Sequence, residues 1–374
     1  MKIQAAVLTE MGAAHPYAES RPLKMETLEL GDPGDGEVRV AIKAAGLCHS
    51  DLSVINGDRP RPTPMALGHE AAGVVESVGP GVHDLKQGDH VVMVFVPSCG
   101  HCMPCAEGRP ALCEPGNGAN AVGTLISGER RLSRDGEAIN HHLGVSAFAD
   151  HAVVSRNSLV KVDPSVPFKH AALFGCAVLT GVGAAVNTAQ VRAGQTVAIV
   201  GLGGVGLTAL LGALASGAER VVALDMLDDK LKIARELGAT DTFNVGEEGV
   251  VDAVKEATRG GVDVAIETAG SEKALELAYY VTRRGGSTVT AGLAHPDKRL
   301  SIPPVSLVAE ERTLKGSYVG SCVPVRDMPR YISLFQRGRL PVDKLLTHVI
   351  KAEEINEAFD RLHEGKALRQ VVVF

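Results

Sequence analysis

The sequence predicts an α/β protein in which a doubly wound parallel sheet is joined to a β-rich domain, and three observations carry that prediction. The first is the stretch Thr196 to Asp225, TVAIVGLGGVGLTALLGALASGAERVVALD, where a short run rich in β-branched residues meets three glycines, Gly201, Gly203 and Gly206, and a small-residue helix follows. The second is the alternation of strand-like and helix-like segments after it. The third is the opening 45 residues, where short apolar runs such as EVRVAIKAAG alternate with turns and show little helix.

Each glycine of the G-x-G-x-x-G has its own physical task. Gly201 allows the tight turn, Gly203 lets the backbone approach a pyrophosphate, and Gly206 lets the helix pack close to the sheet. The helix N-terminus then offers free N–H groups to the anion. The next strand, RVVALD, ends at Asp225, where a carboxylate accepts hydrogen bonds from ribose hydroxyls. The span from Thr196 to Ala218 is uncharged and long enough to cross a bilayer, but the turn GLGGVG interrupts it, so it reads as a buried strand and a buried helix.

A chain of 374 residues is too long for one ordinary core, so two domains are expected. With 45% hydrophobic residues, 22% charged residues and a formal net charge of −6, it reads as a soluble globular protein with no basic stripe for nucleic acid and no membrane segment. The start MKIQAAVLTEMG has too short an apolar run for a signal peptide, which points to a cytoplasmic protein. Seven cysteines, an odd and clustered set, suggest metal binding more than disulfides.

In chain order, chemistry begins at GLCHSDLSVINGD, which places Cys48, His49, Ser50 and Asp51 together, and continues in MALGHEAAGVV with His69 and Glu70. Thiolate, imidazole and carboxylate are the ligand types of zinc. The run CGHCMPCAEGRPALC brings Cys99, Cys102, Cys105 and Cys113 into a spacing that fits a closed four-thiolate zinc site, one that holds a lobe folded and does no chemistry. Between Glu114 and His151 the polar, glycine-rich sequence reads as a long surface loop with a hairpin-like excursion. SLVKVDPSVPFKHAALFGCAVLTGVGAAV then leads into an apolar helix near Cys176, close to the domain boundary. Beyond the last strand of the nucleotide sheet, DMPRYISLFQRG, AEEINEAFDRLHEG and RQVVVF are expected to return to the first domain.

With these motifs in hand, the chain resembles the zinc-containing alcohol dehydrogenases of the medium-chain dehydrogenase/reductase family over essentially its whole length. The resemblance rests on GLCHSD, GHEAAGVV, the four-cysteine lobe, GCAVLTG, GLGGVG with Asp225, and the terminal GKALRQ. It implies a β-rich GroES-like catalytic domain over 1–177 with a structural zinc lobe at 97–115, a Rossmann domain over 178–319 that binds NAD, and a catalytic return over 320–374. It further implies Cys48, His69 and Cys176 as ligands of a catalytic zinc, with Glu70 an occasional ligand and Asp51 orienting His69. Ser50 would hydrogen-bond the alcohol and accept its proton. His49, Asp225, Lys230 and Arg369 would contact the coenzyme along with the three glycines, and Thr180 and Val205 would press on the nicotinamide. Cys322 is left over as an ordinary thiol.

The implied activity is NAD-dependent interconversion of small-molecule primary or secondary alcohols with aldehydes or ketones. The rivals are a glutathione-dependent formaldehyde dehydrogenase of the same branch and a non-catalytic binding protein on the same fold. The loop Ser127 to His142 resembles that of the dimeric branch, which implies a homodimer. Against the family pattern, Ser53 stands where many members place a relay histidine, and a hydroxyl can pass a proton but not store one. Phe95 and Leu143 match an apolar substrate wall, whereas Arg59, Gly118 and His142 depart from it. Arg59 is either a solvated loop residue or, with His142 opposite, a reader of a carboxylate or other polar substrate end.

Overall fold

The computed structural model describes residues 1–374 and divides into two compact units. One comprises Met1–Cys176, Val323–Ser333 and Val342–Phe374, and the other Ala177–Cys322 and Leu334–Pro341. The segment Leu334–Pro341 thus packs with the second unit, inside the stretch read as a return to the first.

The first unit begins with alternation. In the strand Lys2–Leu8, Ile3, Ala5 and Val7 face inward, and with Leu28, Leu30, Leu132 and Ile139 they fill a closed barrel. The barrel is built from Lys2–Leu8, Leu23–Leu30, Leu132–Arg134, Glu137–His141 and Met65–Ala66. A seven-stranded sheet forms the rest of the unit around Glu37–Gly46. That strand is bonded along one side by Ala71–Val78 and along the other by His151–Ser155 and Arg369–Val373. Covered in this way, it is buried at eight of its ten positions, the exceptions being Arg39 and Lys43. The antiparallel register pairs Val371 with Gly46 and Val372 with Ala45, and the amide of Leu47 donates to the Gln370 carbonyl at 3.0 Å. The chain's last strand is therefore fixed beside the Cys48 segment.

The stretch from Glu114 to His151 holds the hairpin expected within a surface loop, but it is not all loop. It carries a nine-residue helix, Glu114–Val122, capped by the sulfur of Cys113, and a hairpin whose strands close the barrel. Its polar residues misled because several are buried with partners: Asn140 donates to the Pro64 carbonyl, and His141 Nε2 accepts from the amide of Arg131.

The second unit holds a six-stranded parallel sheet in the order Asp241–Asn244, Arg220–Asp225, Thr196–Val200, Val262–Glu267, Thr282–Thr290, Thr313–Gly316. Strand order reverses between Thr196–Val200 and Val262–Glu267, and the crevice at the carboxyl ends of those strands is where such sheets bind ligands. The uncharged span resolves into the strand Thr196–Val200 and the helix Gly204–Ala215. No single helix of the chain is long and apolar enough to cross a membrane. Gly206 shows why its position excludes a side chain, since an added Cβ would lie 1.8 Å from the Gly201 carbonyl oxygen.

Candidate metal centres and coenzyme site

Three ligand-type side chains converge in the first unit. Cys48, extended at φ −136°, caps the helix His49–Ile55; His69 comes from the turn before Ala71–Val78; Cys176 follows the short helical segment Ala172–Gly175. All three are buried, and their ligand atoms lie within 4.8 Å of one another. Asp51, fully buried, ties two of them together. Its Oδ2 accepts from the Cys48 amide at 3.2 Å, and its Oδ1 accepts from His69 Nδ1 at 2.9 Å. With Nδ1 so engaged, His69 is left with Nε2, which is buried and has no hydrogen-bond partner.

The electrostatics of the cluster follow from this geometry. Contact with the Cys176 thiol, aided by His69 and Arg369, holds the Cys48 thiol well below its ordinary range although burial opposes it. Burial would likewise raise Asp51, but His69 and His142 hold its carboxyl well below the usual range. Burial pulls His69 down, and Asp51 and Cys48 overcome that pull and push the ring up to about 10. This excess of negative partners keeps a proton on Nε2 beside the two sulfurs, and a zinc ion would take that proton's place, one imidazole nitrogen and two sulfurs being a donor set that fits it.

Around the triad, Glu70 and Arg369 form a buried ion pair, and Arg369 also acts on Cys48. The structure therefore places Arg369, expected at the coenzyme, with its guanidinium against Glu70. His49 is exposed and Ser50 half-buried on the first turn after Cys48. Ser53 donates its hydroxyl to the His49 carbonyl at 2.8 Å, so its proton is committed to its own helix. Phe95 and His142 stand edge-to-face against the His69 ring at 5.2 and 5.6 Å. His142 is turned onto Asp51, at 3.3 Å, and the Arg61 charge acts on it. Arg61 donates to the Asn120 carbonyl, while Arg59 is half-buried. Leu143 is buried, and Gly118 lies in the helix Glu114–Val122 with open space where a Cβ would be.

The four cysteines of the lobe also converge within 4.8 Å, and none of the seven cysteines of the chain forms a disulfide. Backbone amides point at the sulfurs: Cys113 Sγ accepts from Cys99 and Gly116, and Cys99 Sγ accepts from His101 and Cys102. The His101 amide, first among those donors, pulls Cys99 down to about 6. Burial, with neighbouring thiols, pushes Cys105 up to about 12. Four thiolates cannot share so small a space without a cation, and a four-sulfur set with no other donor is the pattern of a structural zinc.

In the second unit Gly201 takes φ +90°, and a Cβ on Gly203 would meet nothing within 4 Å, leaving that face of the turn open to a ligand. Asp225 closes the turn from the next strand. Its Oδ2 accepts from the Leu202 amide at 2.7 Å and its Oδ1 from the Leu227 amide at 3.0 Å. Val205 lies in the first turn of Gly204–Ala215, Thr180 is buried in the helix Ala177–Gly183, and Lys230 sits in Asp228–Glu236 behind Asp228 and Asp229. One residue escaped the sequence reading. Glu267, buried at the end of its strand, accepts from the Gly270 amide and the Thr290 hydroxyl, both at 2.6 Å, and so joins the ends of two neighbouring strands at the crevice. A lone glutamate closing an apolar run gives no signal for this.

The depressed Asp51 carboxyl makes a testable statement about stability. A group whose pKa is lower folded than unfolded contributes fully above its unfolded value, about 3.9, and the contribution is lost as pH falls below that. Asp51→Asn should cost about 3–5 kcal/mol near neutrality, the scale of breaking a buried charge pair, and should flatten the acid limb of the curve of stability against pH. Calorimetric melting of both proteins across pH checks this, and an unchanged acid limb in the variant would contradict it.

Comparison with known proteins agrees with this geometry. Residues 34–164 match the family model of the alcohol dehydrogenase GroES-like domain, and residues 204–337 match that of the zinc-binding dehydrogenase. An alcohol dehydrogenase zinc-binding domain protein from Burkholderia ambifaria is 34% identical, with a TM-score of 0.94 over 100% of this chain and 99% of that one. Benzyl alcohol dehydrogenase from Acinetobacter calcoaceticus is 32% identical, with a TM-score of 0.93 over the same shares. An alcohol dehydrogenase from Thermus sp. ATN1 is 26% identical, with a TM-score of 0.82 over 99% of each chain. With a GroES-like unit, a Rossmann unit and relatives above 30% identity along the whole chain, the protein belongs to the zinc-containing alcohol dehydrogenases of the medium-chain dehydrogenase/reductase family and is an oxidoreductase.

Proposed function

We propose that the enzyme transfers hydride between a primary or secondary alcohol and NAD, yielding an aldehyde or ketone, with one catalytic and one structural zinc per chain. The observation that carries this reading is the unpartnered Nε2 of His69, fixed by Asp51 and grouped with the Cys48 and Cys176 sulfurs. Cys48, His69 and Cys176 would hold the catalytic ion, which when bound would supply Lewis acidity toward the alcohol oxygen. The chain's own residues do the rest. Ser50, one residue into the helix that Cys48 caps, hydrogen-bonds the alcohol and takes its proton. Phe95 and His142 exclude water around the ring of His69. Because Ser53 is committed to the His49 carbonyl, the proton leaves by solvent or by the coenzyme ribose.

In the second unit, Gly203 gives the pyrophosphate its approach, and Asp225 keeps lone pairs for the ribose hydroxyls beyond those used by Leu202 and Leu227. Its carboxylate, followed by Asp228 and Asp229, opposes the extra phosphate of NADP. Alcohol-dependent growth of NADH absorbance over a panel of aliphatic and aromatic alcohols tests the activity, and no turnover of any alcohol would sink it. The expected preference for NAD should narrow by about tenfold or more in Asp225→Gly, about the weight of one charge-assisted contact. Equal use of NADP by the native enzyme contradicts that assignment.

We further propose a homodimer, formed through the sheet edge of the second unit. Thr313–Gly316 is exposed at all four residues, and beside it Val305 and Val308 are 71% and 81% exposed. An edge strand flanked by apolar side chains pairs readily with its own copy across a two-fold axis. Sedimentation should give a dimer that Val308→Asp weakens; a native monomer at micromolar concentration rules it out.

A further inference from the structure

We propose that His142 is a positioning residue for His69, acting as a second N–H donor that locks the Asp51 carboxylate in the orientation His69 requires. The inference rests on reading Cys48, His69 and Cys176 as a zinc site. His69 Nδ1 and His142 Nδ1 lie 2.9 and 3.3 Å from the same oxygen, Asp51 Oδ1. A nitrogen lone pair facing a carboxylate oxygen at such distances repels it, so both nitrogens must carry hydrogen. The His142 contact is off the line of a full hydrogen bond, and its Nδ1 has no other partner, so Asp51 is what it serves.

The surroundings hold the His142 ring in place. Its residue is 1% exposed, and its ring stands at 90° to that of His69, with Phe95 at 87° to the same ring. The end of the hairpin strand Glu137–His141 and the residue after it send two consecutive histidines to different places: His141 accepts the Arg131 amide, and His142 reaches Asp51. Asp51 Oδ2 is taken by the Cys48 amide. Held only by the 3.2 Å Cys48 contact on Oδ2 and by His69 on Oδ1, the carboxylate could still tilt and carry the His69 ring with it. A second donor on Oδ1 removes that freedom and aims Nε2 at the sulfurs. The histidine that departs from the family's apolar substrate wall is thus turned inward, to the ligand.

The test uses the zinc-loaded enzyme with His142→Phe, which keeps an edge-to-face ring but donates nothing, and His142→Gln, whose amide can donate. Zinc loss to dipicolinate is timed for both sites, the four-cysteine lobe serving as control within the same molecule. His142→Phe should lose the Cys48–His69–Cys176 zinc about 10–100-fold faster, with the lobe unchanged, and His142→Gln should recover most of the difference. Cobalt placed in the same site should shift its visible absorption in His142→Phe and return toward native in His142→Gln. Equal rates in native and His142→Phe, or equal losses in both variants, overturn the proposal. Native protein that binds zinc in the lobe alone overturns the underlying site reading too, a result distinct from two zincs leaving at unchanged rates. If His142→Phe does not fold, imidazole nitrogen spectra of the native enzyme decide, since His142 must bear its proton on Nδ1 and a proton on Nε2 alone refutes it.

Discussion

The charge on Asp51 is the constraint on which the first unit depends. A carboxylate with no exposure costs several kcal/mol unless it is paired and its oxygens are satisfied, and three different stretches of chain supply what it needs. The Cys48 amide comes from the start of a helix, His69 from a turn before a strand, and His142 from the end of the barrel hairpin. None of these can move without stranding the charge. The barrel, the central sheet strand and the helix cap are therefore held to one another at the point where the ligand atoms meet, and the same carboxylate that costs stability on burial gives the site its geometry.

The second unit solves a different problem with backbone alone. Its sheet is parallel and apolar, and the ligand end is shaped by the Gly201 turn, by the amides that Asp225 accepts, and by the bracing of two strand ends through Glu267. Oriented amides and a carboxylate at the carboxyl ends of parallel strands are the groups with which such sheets bind dinucleotides.

What could be read from the sequence was what local spacing encodes. The glycine pattern, the cysteine spacing and the strand–helix alternation each declare themselves within a few residues, and the six-stranded sheet followed from them. The helix Glu114–Val122 did not, because EPGNGANAV contains two glycines and a proline and is capped by Cys113 from outside. Nor did the direction of His142. Whether a histidine at the end of a hairpin faces substrate or a buried aspartate ninety residues earlier is set by barrel closure, which leaves no trace in local sequence. Arg61, two residues from the arginine singled out by motif position, shows the same limit: a loop's charges are legible, but the Arg61 contact with the Asn120 carbonyl and its action on His142 are not.

The central claim is that the chain builds two metal centres of different kind, one closed by four sulfurs and one left open by Cys48, His69 and Cys176. Zinc analysis combined with X-ray absorption on the native enzyme and on Cys48→Ser tests it most directly. The account predicts two zincs per native chain, and in Cys48→Ser one zinc with an all-sulfur shell and loss of hydride transfer. Fully active native protein with one zinc or none, or a variant keeping both zincs and full activity, would contradict it.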